Sequence, residues 1–99
     1  MAYKYQFPAI DDSKVESLMV QSWKVEEEAV ELGDEVSLMK VGRSNPDEVA
    51  MEAFDVIQAA ETLMREMVSE GYLTERGLQH LFRRTVQKNK RRGYYGRGA

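Results

Sequence analysis

Cysteine is absent from the 99 residues, and histidine occurs once, at His80. The first absence excludes a disulfide framework, a thiolate nucleophile and any Cys-ligated zinc or iron–sulfur centre. The second argues against a His-rich metal site and against a Ser-His-Asp triad. No apolar run approaches the ~20 residues of a membrane span, and no signal-peptide pattern opens the chain. A soluble, mostly helical protein is expected, cytoplasmic in location, with any metal chemistry resting on oxygen ligands.

A hydrophobic content of 42% beside 31% charged residues stands well away from the signature of disorder. The length fits one domain over residues 1–99. Within it, residues 1–12 read as an N-terminal arm, 13–92 as a helical body and 93–99 as a flexible basic tail. The net charge of −3 conceals two opposite halves. Residues 1–75 hold all 17 acidic groups and six basic ones, a balance of −11, whereas residues 76–99 hold eight basic groups and no acid. Such asymmetry suggests that one part handles cations and another anions. On charge alone, the plainer reading is an acidic body with a solvated tail.

The aromatic start (Tyr3, Tyr5, Phe7) reads as an arm lying on the body. Asp11, Asp12 and Ser13 offer N-caps, with Glu16 placed for a capping box. Val15, Leu18, Ser22, Val25, Ala29, Leu32, Val36 and Met39 then recur at spacings of three and four. This predicts one long amphipathic helix, with Gly33 as a possible kink and Gly42 as its C-terminal stop. Asn45-Pro46-Asp47-Glu48 opens a second helix with a cap, a proline at the first position and acids against the dipole. Its apolar stripe is Val49, Ala53, Val56, Ala60, Leu63 and Met67, widened by Phe54, Ile57 and Met64, and Gly71 stops it. Thr74 caps a third helix with Leu78, Leu81, Phe82 and Val86 inward.

A helix from Lys14 to Lys40 would span ~40 Å, longer than the roughly 33 Å diameter of a compact domain of this size. The fold class predicted is therefore all-α: a three-helix protomer building a helical bundle in a homodimer or a dimer of dimers. The six methionines suit adaptable core filling, Met19 and Met39 among them.

Beside the apolar seam of the first helix runs a second stripe, Gln21, Lys24, Glu28, Glu31 and Glu35. The matching stripe on the second helix is Glu48, Glu52, Asp55 and Ala59. Each helix thus carries an acidic pair at i,i+3, Glu28 with Glu31 and Glu52 with Asp55, with Cβ atoms ~5–6 Å apart. The 20 residues between Glu31 and Glu52 allow an antiparallel return that brings four carboxylates around one small volume. Such a group repels itself and is costly to desolvate unless a hard divalent cation sits among it. Mg²⁺, with Mn²⁺ as a substitute, fits oxygen ligands and phosphates; zinc does not fit a set without cysteine or paired histidines. Against this stands the ordinary fate of a Glu-rich turn such as Glu26-Glu27-Glu28, a solvated helix face.

Lys24-Val25-Glu26-Glu27-Glu28-Ala29-Val30-Glu31-Leu32 followed by Glu52-Ala53-Phe54-Asp55-Val56-Ile57 resembles the EExxE…ExxD signature of the MazG-like all-α nucleoside triphosphate pyrophosphohydrolases. The ending Lys88-Asn89-Lys90-Arg91-Arg92-Gly93-Tyr94-Tyr95 is similar to the basic end of small, often phage-type members, and the likeness covers residues 14–95. The resemblance implies an all-helical homo-oligomer that hydrolyses an NTP or dNTP to the monophosphate and pyrophosphate with Mg²⁺. It implies Glu28, Glu31, Glu52 and Asp55 as metal ligands, with Glu27 and Glu28 in the catalytic role and Glu27 orienting or deprotonating water. Lys88, Asn89 and Arg92 would reach phosphate oxygens or the sugar. Lys24 would contact phosphate or pair with Glu28. Tyr94 and Tyr95 would close over the nucleotide or pack at an interface, and Trp23 would stack on a base or, more in keeping with a lone tryptophan, fill an interface. His80 is expected at the surface or an interface.

Two other readings compete. One is a metal-free scaffold that self-associates through the long seam. The other is a nucleic-acid binder that grips phosphates with its Arg/Gly/Tyr tail, an arrangement the −11 body opposes. No membrane partner is expected.

Overall fold

The computed structural model describes residues 2–96; Met1 and residues 97–99, with Arg97 and the end of the expected tail, lie outside it. Among the described residues there are three α-helices and no strand: α1 (Leu18–Lys40), α2 (Pro46–Ser69) and α3 (Glu75–Arg91), preceded by a single 3-10 turn at Asp12–Lys14.

The first helix starts later than the capping-box reading placed it. Asp11 accepts hydrogen bonds from both the backbone N–H and the hydroxyl of Ser13 at 2.9 Å, closing a local turn instead of a helix. Val15 is then extended, and Ser17 caps α1 by accepting the N–H of Val20 at 3.1 Å. From there α1 runs unbroken through Gly33. It stops where Gly42 takes a φ of +76°, which lets the N–H of Arg43 reach back to the carbonyl of Leu38 at 2.8 Å. Asn45 caps α2 by accepting the N–H of Glu48 at 3.0 Å, with Pro46 in the first turn, and Gly71 at φ +83° ends it. Thr74 caps α3 through the N–H of Gly77 at 2.9 Å.

α1 and α2 pack as an antiparallel hairpin, Gln21 meeting Ala59 at one end and Glu31 meeting Glu52 further along. The face that α1 turns inward is the expected seam together with part of the polar stripe beside it. Its one fully buried residue is Gln21, on the polar stripe, while the residues of the apolar stripe are half-buried and Ala29 is exposed. Met19, expected in the core, is 60% exposed. Among the described residues Leu78 is the one apolar side chain fully out of water.

The third helix is tied to this hairpin through the N-terminal arm. Gln79 of α3 accepts the N–H of Tyr3 at 2.6 Å and donates to its carbonyl at 2.8 Å, and the Tyr3 and Phe82 rings lie 5.2 Å apart. Glu61 of α2 holds the same arm. Its carboxylate, 1% exposed, accepts from the Tyr3 hydroxyl and from the N–H groups of Gln6, at 2.8 Å, and Phe7, at 3.0 Å. One turn on, Arg65 donates to the Phe7 carbonyl at 2.7 Å and stacks 4.0 Å over the Tyr5 ring. The chain forms a slab of 45 × 44 × 20 Å. Its radius of gyration of 15.9 Å exceeds the ~13 Å of a compact domain of this size.

Burial pushes the Glu61 carboxyl up, but the Tyr3 hydroxyl, the two N–H groups and the Arg65 charge outweigh it and hold the carboxyl below its ordinary range. Its contribution to stability is therefore present above the ordinary carboxylate pKa and is lost as pH falls through the depressed value. Tyr3 is pushed up to about 12, by burial and then by the carboxylate it faces, so its O–H persists to strongly alkaline pH. Glu61→Ala leaves three donors unpaired, each at about 1–3 kcal/mol when buried. Urea denaturation at pH 7 is expected to show a loss of roughly 3 kcal/mol or more, with fast hydrogen exchange at Gln6 and Phe7; unchanged stability would show that the arm is not held through Glu61.

Candidate carboxylate site between the first two helices

The antiparallel pairing sets residues 28–31 of α1 beside 52–55 of α2. Glu28, Glu31 and Glu52 each offer a carboxylate oxygen within 4.8 Å of the others. Asp55, an exposed residue at i+3 from Glu52, adds its charge to both Glu28 and Glu52. Glu35 is engaged elsewhere, accepting the Ser44 hydroxyl of the connecting loop.

The electrostatics follow from this crowding. Glu28 is raised above its ordinary pKa by burial, then by the charge of Glu31 and a hydrogen bond with it, then by Asp55 and Glu52. Glu52 is raised by burial, then by Glu31, Asp55, Glu35 and Glu48. One oxygen of each, Glu28 Oε2 and Glu52 Oε2, is shut off from solvent with no hydrogen-bond partner. Buried polar atoms are normally satisfied; the Tyr5 hydroxyl and Arg65 Nη1 lack partners as well, and the carboxylate pair differs from them in carrying like charges on facing helices. An oxygen-only set of this kind could hold a hard divalent cation.

A cavity of about 210 Å³ opens beside the carboxylates, bounded by Lys24 and Glu28 of α1, Asp55 and Gln58 of α2, and Ile10 and Lys14 from the segment before α1. Two polar side chains of its lining are buried and hydrogen-bonded. Gln21, 6% exposed, donates to the Ala59 carbonyl at 3.0 Å, and Thr62, 5% exposed, donates to the Gln58 carbonyl at 2.9 Å.

Of the residues predicted from sequence, Glu28, Glu31 and Glu52 are brought together, and Lys24 shares the cavity wall with Glu28 and Asp55. Glu27 is exposed and belongs neither to the carboxylate group nor to the cavity. Lys88 and Asn89 sit in the last turn of α3, Arg92 and Tyr95 just beyond it, and none of the four lines this cavity. His80 is exposed, as is Trp23 at 56%. Ile10 and Lys14 escaped sequence reading because they precede α1 and share in no helical period.

Comparison with family models, with curated proteins and with solved structures finds no match for this chain.

Carboxyls raised in the folded state contribute stability that is present below the ordinary carboxylate pKa and is lost as pH rises through the raised values. The ionised cluster thus weakens the metal-free protein at neutral pH. Glu28→Gln is expected to raise its melting temperature at pH 7 by a few degrees, the gain disappearing below about pH 4; a lower melting temperature at pH 7 would mean that the ionised group is structural.

Proposed function

We propose that this chain is a Mg²⁺-dependent nucleotide pyrophosphohydrolase of the MazG-like kind, converting an NTP or dNTP to the monophosphate and pyrophosphate. The observation that carries the reading is the pair of solvent-excluded carboxylate oxygens, Glu28 Oε2 and Glu52 Oε2, that accept no hydrogen bond. Glu28, Glu31 and Glu52 would hold Mg²⁺, or Mn²⁺ in its place, with Asp55 completing the set. Bound there, the ion would neutralise phosphate charge and lower the pKa of a coordinated water.

The chain's own groups supply the rest. Lys24, on the cavity wall, meets phosphate oxygens. The water-orienting role that the resemblance implies for Glu27 would require it to act from outside the carboxylate group and the cavity, since it is exposed and belongs to neither. Pyrophosphate leaves as a stabilised anion, so no covalent nucleophile is required. Lys88, Asn89, Arg92 and Tyr95 serve the substrate of a neighbouring protomer, since they line no part of their own cavity.

The oligomer is a homodimer or a dimer of dimers. Supporting it, Met19, Trp23 and Val30 form one stripe on α1, exposed by 60%, 56% and 63%, and Phe54 of α2 is exposed by 56%. A protomer only 20 Å thick cannot cover such a stripe itself. A scaffold would use the same stripe but gives no role to the orphaned carboxylate oxygens.

A panel of NTPs and dNTPs is expected to release pyrophosphate with Mg²⁺ and none with EDTA; a product of orthophosphate alone, or no turnover of any nucleotide, would overturn the reading. Asp55→Asn is expected to lower turnover by about 100-fold or more while sedimentation still reports the oligomer of the parent protein.

A further inference from the structure

We propose that Lys14 is a phosphate-gripping residue of this site, delivered from outside the helical hairpin by the N-terminal segment. The inference rests on the hydrolase reading and adds to it a residue for which no helical pattern speaks.

Three parts of the chain enclose the cavity: α1, α2 and the segment that carries Ile10, Lys14 and Val15. Lys14 and Lys24 are the cations on its wall, and Glu28 and Asp55 the anions. Glu28 and Asp55 share that wall with both lysines, and a divalent cation held by the carboxylates would add further positive charge. A phosphoanhydride bound with such a cation would carry further charged oxygens for side chains to meet. A lysine meets such oxygens as a mobile point charge. Within the protomer Lys14 and Lys24 are placed to do so, whereas the C-terminal cations are not.

The backbone under Lys14 is fixed from both sides. Upstream, Glu61 accepts the N–H groups of Gln6 and Phe7, and Arg65 donates to the Phe7 carbonyl at 2.7 Å. Downstream, Ser17 anchors the start of α1 through the N–H of Val20 at 3.1 Å. Between these anchors the Asp11–Ser13 turn closes with the N–H of Lys14 donating to the Asp11 carbonyl at 2.8 Å. The Lys14 side chain is exposed, so replacing it removes a charge from the cavity without opening a core.

The test is calorimetric titration of the full chain with Mg²⁺ alone and then with inorganic pyrophosphate in the presence of Mg²⁺. Lys14→Gln is expected to weaken pyrophosphate binding by about tenfold, the effect of losing one charge-assisted hydrogen bond, and to leave Mg²⁺ binding equal or slightly tighter. Lys14→Arg is expected to recover most of the loss. In turnover, Lys14→Gln is expected to raise KM with kcat nearly constant. Parent-like pyrophosphate binding by Lys14→Gln would overturn the role of Lys14 and leave the hydrolase reading intact. Equal losses of Mg²⁺ binding, or a lower melting temperature without metal, would make Lys14 structural and overturn it too. Failure of the parent protein to bind Mg²⁺ and pyrophosphate would overturn both.

Discussion

Where α1 packs against α2, like charges from the two helices are held close together, and the partial burial of Glu28 and Glu52 beside exposed Glu31 and Asp55 leaves the repulsion only partly relieved by water. Helical hairpins ordinarily place apolar side chains at such a crossing. Here Glu28, Glu31 and Glu52 converge within 4.8 Å, and two of their oxygens are sealed off without a donor. Glu61, on the same helix as Glu52, shows the opposite solution. Its carboxylate is more deeply buried, yet donors from the arm and the Arg65 charge surround it and keep it ionised. One set of acids is complete within the chain and the other is not. That difference separates a carboxylate that holds the fold together from carboxylates whose charges the chain leaves uncompensated.

The two kinds of site are joined through the N-terminal arm. Its first part, Tyr3 to Phe7, satisfies Glu61 and ties α3 to the hairpin through Gln79 and Phe82. Its continuation, from Ile10 to Val15, forms one wall of the cavity beside Glu28 and Asp55. The carboxylate that completes the fold thereby also positions the segment that shapes the site. The same economy of contacts leaves the protomer thin, with α1 presenting an exposed stripe of large apolar side chains.

Much of this was legible beforehand because it depends on local chemistry. The Asn45-Pro46 start of α2, the Gly42 and Gly71 stops and the Thr74 cap each follow from one residue's own preference, and the end of α1, the whole of α2 and the start of α3 lie where those signals put them. The i,i+3 acidic pairs were legible for a similar reason, since helical spacing alone sets residues 28 and 31 on one surface. What escaped depends on partners distant in the chain. Glu61 falls outside the acidic stripe of α2, and only the arm, some 55 residues away, reveals why it is buried. The start of α1 moved because an Asx-type turn at Asp11–Ser13 outcompeted the capping box. Met19 is exposed because it lies off the half-buried seam of α1.

The contrast between satisfied and unsatisfied carboxylates is open to direct measurement by titrating the side-chain carboxyl carbons of labelled protein by NMR, with and without Mg²⁺. Glu28 and Glu52 should titrate above the ordinary glutamate range without metal and shift downward when Mg²⁺ is added, while Glu61 stays low and does not respond. Ordinary, Mg²⁺-insensitive titration of Glu28 and Glu52 would contradict the proposal that these carboxylates bind a divalent cation.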